Sequence, residues 1–302
     1  MNDGDRLRRF LFEQWPVRGH FVRLDASWRA VIEHHDYPGT VRDTLGEALA
    51  ASVLLAGALK FDGQLTLQLQ GPGPMHLLVA QCTSGLAIRG VARHRGAVES
   101  RVLEEMTGGG QLAVTVETDA REHRYQGVVP LIGTGLAASL EHYFQHSEQL
   151  ASRLLLACNG YRAAGLLLQR LPVGSTTHAE DAPELLAAAE DEWQRLQLLT
   201  GTLTSAELLG ESCETLLRRL FHEDDVRLFE GAPVFFQCTC SRERVGNIIR
   251  SLGAVEAQGI LRERGDVEVR CEFCNRAWSF DAVDIARLFS PGVTHVPPPG
   301  LH

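Results

Sequence analysis

The chain has 302 residues, 44% of them hydrophobic and 22% charged, with a formal net charge of −9, enough to bury one large domain plus one or two small ones. The acidic balance excludes a broad basic footprint for nucleic acid, and Lys60, the only lysine, lies outside any G-x-x-x-x-G-K-[ST] pattern, which excludes a P-loop. The apolar run 48–59 is too short to cross a bilayer, and residues 1–15, charged at Asp3, Asp5, Arg6, Arg8 and Arg9, lack a signal-peptide core, so a cytoplasmic protein with reduced thiols and no membrane partner is expected.

Residues 21–25 read as a short strand and residues 28–34 as a second. His34-His35-Asp36-Tyr37-Pro38 carries adjacent histidines that point apart in a strand, so packing or capping is expected there rather than metal binding. Thr44-Leu45-Gly46-Glu47 has the form of a capping box and predicts a helix to about Lys60, apolar nearly all round and hence central to the first domain. Leu65, Leu67 and Leu69 alternate with Thr66, Gln68 and Gln70. With 77–81 and 86–93 they predict an antiparallel meander. Gly108-Gly109-Gly110 and Gly133-Thr134-Gly135 complete no G-x-G-x-x-G and read as turns. Residues 112–117 and 123–129 form a hairpin, 135–144 and 148–158 read as helices, and 163–171 is an apolar segment ended by Pro172-Val173-Gly174. Strands followed by helices predict an α+β class.

Beyond Gly174 the residues Glu180, Asp181, Glu184, Glu190, Asp191 and Glu192 make an acidic stretch without strands. Leu186, Ala189, Trp193 and Leu196 share one helical face, and a second helix opens at the capping box Thr204-Ser205-Ala206-Glu207 and presents Leu209, Cys213, Leu216 and Leu220. Two such helices cannot build a core alone, so they are expected to lay their apolar stripes on the first domain. Asp224 and Asp225 beside His222 read as a solvated loop or helix end. Residues 241–252 and 255–264 predict short helices, 267–280 a hairpin, 282–289 a last helix, and Pro297 to Pro299 a disordered tail. The division is an N-terminal mixed α/β core domain 1–175, a helical linker 176–233, a small metal-binding domain 234–290 and a tail 291–302.

The last domain holds Cys238-Thr239-Cys240 and Cys271-Glu272-Phe273-Cys274. Four thiols from two turns are a zinc signature, with Zn–S of about 2.3 Å placing neighbouring sulfurs roughly 3.8 Å apart. On spacing alone a static structural site is the simplest reading. A second stays open: sulfurs so close can bond once the metal leaves, and a ring closed within the C-x-C half is tight, as labile disulfides tend to be. Arg242, Arg244, Arg270 and Arg276 either stabilise the thiolates or form ordinary solvated surface. Cys82, Cys158 and Cys213 stand apart and read as small buried apolar residues. With so few apolar residues, this domain should depend on its metal to fold.

Nearly the full length resembles the redox-regulated heat-shock protein 33 chaperones. The resemblance rests on Arg23-Leu24-Asp25, Leu45-Gly46-Glu47-Ala48-Leu49-Ala50-Ala51, Leu59-Lys60-Phe61-Asp62-Gly63, Gln70-Gly71-Pro72-Gly73-Pro74, Tyr143-Phe144 with Ser147-Glu148-Gln149, Gly165-Leu166-Leu167-Leu168-Gln169 and Leu220-Phe221-His222-Glu223-Asp224, and on both cysteine motifs. Ala151-Ser152 departs from the Pro-Thr that the family often carries. The resemblance implies a holdase that needs no ATP, is no enzyme, and binds one zinc per reduced chain through Cys238, Cys240, Cys271 and Cys274. It implies further that oxidation joins Cys238 to Cys240 and Cys271 to Cys274, releases zinc, unfolds the linker and exposes surface for unfolding client proteins, with a homodimer as the active form. Two other classes are kept beside it: a thiol-disulfide oxidoreductase, disfavoured by a C-x-x-C in a hairpin rather than at a helix start, and a zinc-ribbon binding module.

Overall fold

A computed structural model describes residues 3–118, 124–172 and 182–290, of which 182–186 by their backbone alone. By packing, the chain divides into two units, Met1–Gln237 and Cys238–His302.

The first unit opens with β1 (Arg6–Phe12), which pairs antiparallel with β2 (Val17–Leu24). The stretch expected as a second strand is instead a helix, α1 (Ala26–Ile32). Its cap comes from a distance: the Asp5 carboxylate accepts the backbone N–H groups of Asp25, Ala26 and Ser27 at 3.0, 2.8 and 2.9 Å, serving donors that a helix start leaves open. The long helix α2 (Gly39–Ala58) begins at Gly39, ahead of the expected capping box. Thr44 is buried within it and donates its hydroxyl to the Thr40 carbonyl at 2.9 Å, so no open N-terminal donor remains for it to serve. As expected, α2 is the centre of the unit, with fifteen of its twenty residues buried. Gly46 lets a strand approach it, since a Cβ there would meet Cys158 Sγ at 2.2 Å.

The predicted meander is present as β3 (Gly63–Gln70), β4 (Met75–Thr83) and β5 (Ala87–His94). After the short α3 (Leu103–Thr107), the hairpin of β6 (Gln111–Thr118) and β7 (Arg124–Val129) returns to pair β6 with β3. Residue 123 of the expected hairpin lies outside the described residues. α4 (Leu136–Ser147) matches its expectation, but 148–158 does not form a helix: it carries β8 (Ser152–Cys158), paired with β9 (Ala163–Arg170). Leu154-Leu155-Leu156-Ala157 suits either period; the partners opposite Leu154 and Leu156, which are Leu167 and Gly165, decide for the strand. β9 in turn pairs with β2, so these late strands join the first ones in one sheet and α2 lies between that sheet and the meander. The class is α+β.

Three helices follow, α5 (Ala182–Gly201), α6 (Ser205–Gly210) and α7 (Cys213–Leu220). The Thr204 and Glu207 capping box is formed, yet the single helix expected after it is broken: Ser212 accepts the Thr215 N–H at 3.1 Å and starts α7 anew. The apolar stripes lie where expected. Trp193, Leu196, Leu208, Cys213, Leu216, Leu217 and Leu220 share one cluster with Phe10, Phe12, Phe21, Leu166 and Leu168, on the sheet face turned away from α2. Leu208 takes the buried position expected for Leu209. Leu186, and Glu180 and Asp181, lie outside the described side chains.

Polar contacts hold the same helices. Asp3, 1% exposed, accepts the Cys213 N–H at 2.7 Å and pairs with Arg8 at 3.3 Å. Arg23 donates to the Glu211 carbonyl at 3.0 Å and Arg162 to that of Leu209 at 3.3 Å. Asp224 is not solvated as expected, but nearly buried and paired with Arg195, whereas His222 is exposed. Strands that were not expected follow: β10 (Val226–Leu228) and β11 (Ala232–Pro233) pair with β1, and β12 (Phe235–Phe236) runs parallel to β5.

The second unit contains α8 (Arg242–Leu252), α9 (Ala254–Arg264), the hairpin β13 (Val267–Arg270) with β14 (Ala277–Phe280), and α10 (Ala282–Phe289), within a residue or two of expectation. Its buried core is Val245, Ile249, Ala257, Val267, Phe280 and Ile285. The proline tail lies outside the described residues. No described helix is long and apolar enough to cross a membrane.

Candidate metal centre

Cys238 and Cys240 flank Thr239 just ahead of α8, where Ser241 accepts the Arg244 N–H at 3.2 Å and starts the helix. Arg244 then reaches back, donating Nη1 to the Thr239 carbonyl at 2.9 Å and to its Oγ1 at 2.7 Å, which fixes the C-x-C loop. Cys271 and Cys274 occupy the turn between β13 and β14. There the Cys271 N–H donates to the Arg276 carbonyl at 3.0 Å and the Asn275 N–H to the Cys271 carbonyl at 2.7 Å. Asn275 sits at φ 54°, a left-handed conformation that asparagine tolerates.

These two turns bring all four Sγ atoms within 4.8 Å of one another. Cys238 meets Cys271 at 3.6 Å and Cys240 meets Cys274 at 3.5 Å, close to the roughly 3.8 Å edge of a sulfur tetrahedron around a zinc-sized ion. Four soft donors at such spacing fit a thiolate-bound metal. Among the described residues no other group of three or more His, Cys, Asp or Glu side chains gathers in this way. Every pair of sulfurs is near, within a motif or across, so distance alone selects no disulfide pairing.

The thiols are unequal. Burial works to raise Cys271, but hydrogen bonds from the backbone N–H groups of Cys274 and Phe273 and from the Cys238 and Cys274 thiols outweigh it and hold Cys271 below the ordinary thiol value. Cys238 and Cys274 are raised, by burial first and then by neighbouring thiols. Backbone N–H groups of Cys240 and Arg276 point at Cys238 and Cys274. Such donors orient metal-binding sulfurs and stabilise their charge, and residue spacing gives no sign of them.

The bracketing arginines have partners elsewhere. Arg242 bonds Asp284 at 2.5 Å and lies 4.4 Å over the Phe280 ring, Arg270 bonds Glu268 at 2.8 Å, and Arg276 lies 4.3 Å over Trp278. Arg244 is tied to the first cysteine motif by its side chain, through Thr239, and Arg276 to the second by its backbone. Of the remaining cysteines, Cys82 and Cys213 are buried and Cys158 partly so. Burial pushes the Cys82 thiol up to about 12 and raises Cys158 and Cys213 as well, in keeping with small apolar roles. His35 stacks on Tyr37 at 5.0 Å between ring centroids, a packing role.

The family model described as Hsp33 protein matches residues 5–281. A 33 kDa chaperonin of Nitrosococcus oceani is 47% identical over 293 residues, 97% of either chain, and one of Azotobacter vinelandii is 47% identical over the whole of both. The crystal structure of a 33 kDa chaperonin (heat shock protein 33 homolog) from Thermotoga maritima superposes with a TM-score of 0.76 at 22% identity, covering 94% of this chain and 97% of that one. That likeness carries the fold.

Proposed function

This chain belongs to the Hsp33 protein family, and from that premise we propose that it is a redox-regulated holdase that works in the cytoplasm without ATP. The observation that carries the reading is the gathering of four thiols within 4.8 Å in a unit whose own core is six residues. Cys238, Cys240, Cys271 and Cys274 hold one zinc in the reduced chain, and that metal supplies the cross-links that so small a core lacks. Backbone donors at Cys240, Phe273, Cys274 and Arg276 keep the sulfurs oriented. The protein acts by binding unfolding clients and not by turnover.

Oxidation of the cluster removes its donors. Forming each disulfide takes two electrons from a pair of thiolates; hypochlorous acid accepts them together with one proton from solvent and leaves as chloride and water. The pairing proposed is Cys238 with Cys240 and Cys271 with Cys274. What favours it is chain length between the partners, because short loops close at lower entropic cost than the long ones cross-pairing needs. Loss of the second unit's order then loosens the linker, 176–233, from its sheet. The released surface is apolar on both sides: Phe10, Phe12, Phe21 and Leu166 on the strands, and Trp193, Leu216 and Leu217 on the helices. Client proteins bind there, and the oxidised protein works as a homodimer.

The deciding experiment follows aggregation of a thermally unfolding client with the reduced, zinc-loaded and the oxidised protein, without nucleotide. Suppression by the oxidised form alone supports the proposal; equal behaviour of both forms, or catalytic reduction of a disulfide substrate, rejects it.

A further inference from the structure

Beside the end of α2 the first sheet leaves a cavity of about 300 Å³, at the small end of the range for ligand pockets. Its apolar walls are Leu11, Leu171 and Phe229, with Gly57 of α2 behind. Strand register places the polar groups. Arg9 lies opposite His20 and Leu11 opposite Arg18 across β1 and β2, so all four share one face.

Arg9 is exposed and Arg18 half-buried at this cavity. Among the described residues no carboxylate lies within ion-pairing distance of Arg9 or Arg18. Arg18 uses Nε and Nη2 on neutral acceptors, the Gln169 Oε1 at 3.1 and 2.8 Å and the Ala58 carbonyl at 3.1 Å, which leaves Nη1. His20 is 2% exposed, and its Nδ1 has no hydrogen-bond partner. Burial first, then Arg18 and Arg9, lower its pKa to about 4 against a hydrogen bond with the Gly57 backbone, so the imidazole is neutral and adds no charge to the cavity. Closing off the last carbonyls of α2 accounts for one arm of Arg18. It leaves Nη1 of Arg18 open to a ligand, beside the exposed Arg9.

We propose that this cavity binds a small organic carboxylate, its charge held by Arg9 and Arg18 and its apolar body by Leu11, Leu171 and Phe229. A guanidinium and a carboxylate match in charge and geometry, and the apolar walls favour an organic body over a bare inorganic anion. One wall belongs to the linker: Phe229 follows β10, and its N–H donates to the Arg9 carbonyl at 2.9 Å. A bound ligand therefore tightens β10 against β1. On the chaperone reading, which this consequence alone rests on, occupancy raises the oxidant dose needed for activation.

The test is calorimetric titration of the reduced, zinc-loaded full chain with 4-hydroxybenzoate, benzoate and benzyl alcohol. Saturable one-to-one binding is expected, with 4-hydroxybenzoate at least about tenfold tighter than benzyl alcohol and weakened at least about tenfold by Arg9→Gln, a change at a side chain with no bond in the fold. A thermal melt confirms that the variant is folded. Arg18→Gln should weaken binding likewise. Absence of saturation up to about 10 mM, or binding that both variants leave unchanged, overturns the site. Hydrogen exchange at Phe229 should slow with 4-hydroxybenzoate bound; an unchanged rate overturns the coupling to the linker. Neither readout depends on chaperone activity, so the failure of the site and the failure of the chaperone reading are separable.

Discussion

Replacing Leu216 and Leu217 together by alanine should activate the protein without touching a cysteine. Both side chains are buried, at 2% and 5% exposure, in the cluster that joins α7 to Phe10, Phe12 and Phe21. Truncating a buried leucine costs about 2 to 5 kcal/mol, and since adjacent sites need not add, about 4 kcal/mol is a reasonable lower figure for the pair. At roughly 1.4 kcal/mol per decade, that raises the undocked population about a thousandfold. The docked segment must be marginal if it is to switch, and locally opening segments lie well below global stability. Trp193, Leu196 and Phe221 still pack on the sheet and oppose the change. The core of the second unit contains no residue of α7, so zinc binding should persist. The assay is light scattering by a thermally unfolding client with the reduced, zinc-loaded variant, beside hydrogen exchange over 205–220 and emission from Trp193, which is 4% exposed in the docked state. A variant that exchanges as undocked yet still fails to suppress aggregation refutes the covering mechanism and moves inhibition to the metal-binding unit.

Asp3→Asn should loosen the same segment, because it removes the buried carboxylate that pairs with Arg8 at 3.3 Å and accepts the Cys213 N–H at 2.7 Å; earlier exchange of the Cys213 amide is the readout. Metal analysis should find one zinc per reduced chain, and Cys271→Ser should lower zinc affinity sharply by leaving three thiolates and an open position; chelation should melt 242–289, seen as lost helical signal, while α2 stays protected. Peptide mapping after hypochlorous acid should recover Cys238 with Cys240 and Cys271 with Cys274, and leave Cys82, its thiol raised to about 12, reduced; predominant cross-pairs would mean that oxidation does not follow the short loops. Glu47 is held up at about 7, by burial first and by Asp43 second, against Arg101. Its folded value lies above the ordinary 4.5, so its contribution to stability is present below 4.5 and is lost as pH rises through about 7. Glu47→Gln should therefore stabilise the chain at pH 8 by at most about 3 kcal/mol and change little near pH 4.5, as thermal melts across that range would show.

The sequence by itself determined the elements whose signal is local. The leucine alternation of β3, the apolar circumference of α2, the Thr204 and Glu207 box and the stripe of Trp193 and Leu196 each act within one or two turns of chain. So do the two cysteine motifs, because the chemistry of four thiols is written in residue type and spacing. Tertiary structure decided what depends on distant partners. α1 is a helix because Asp5 caps it from twenty residues upstream, and β8 is a strand because β9 pairs with it, although its leucine run suits a helix equally well. The fourfold convergence of sulfurs needs Arg244 to fix one loop and Asn275 to turn the other. The hold of Asp3 on Cys213, across 210 residues, has no local signature at all, since a single buried carboxylate looks like any surface acid until the fold removes its water.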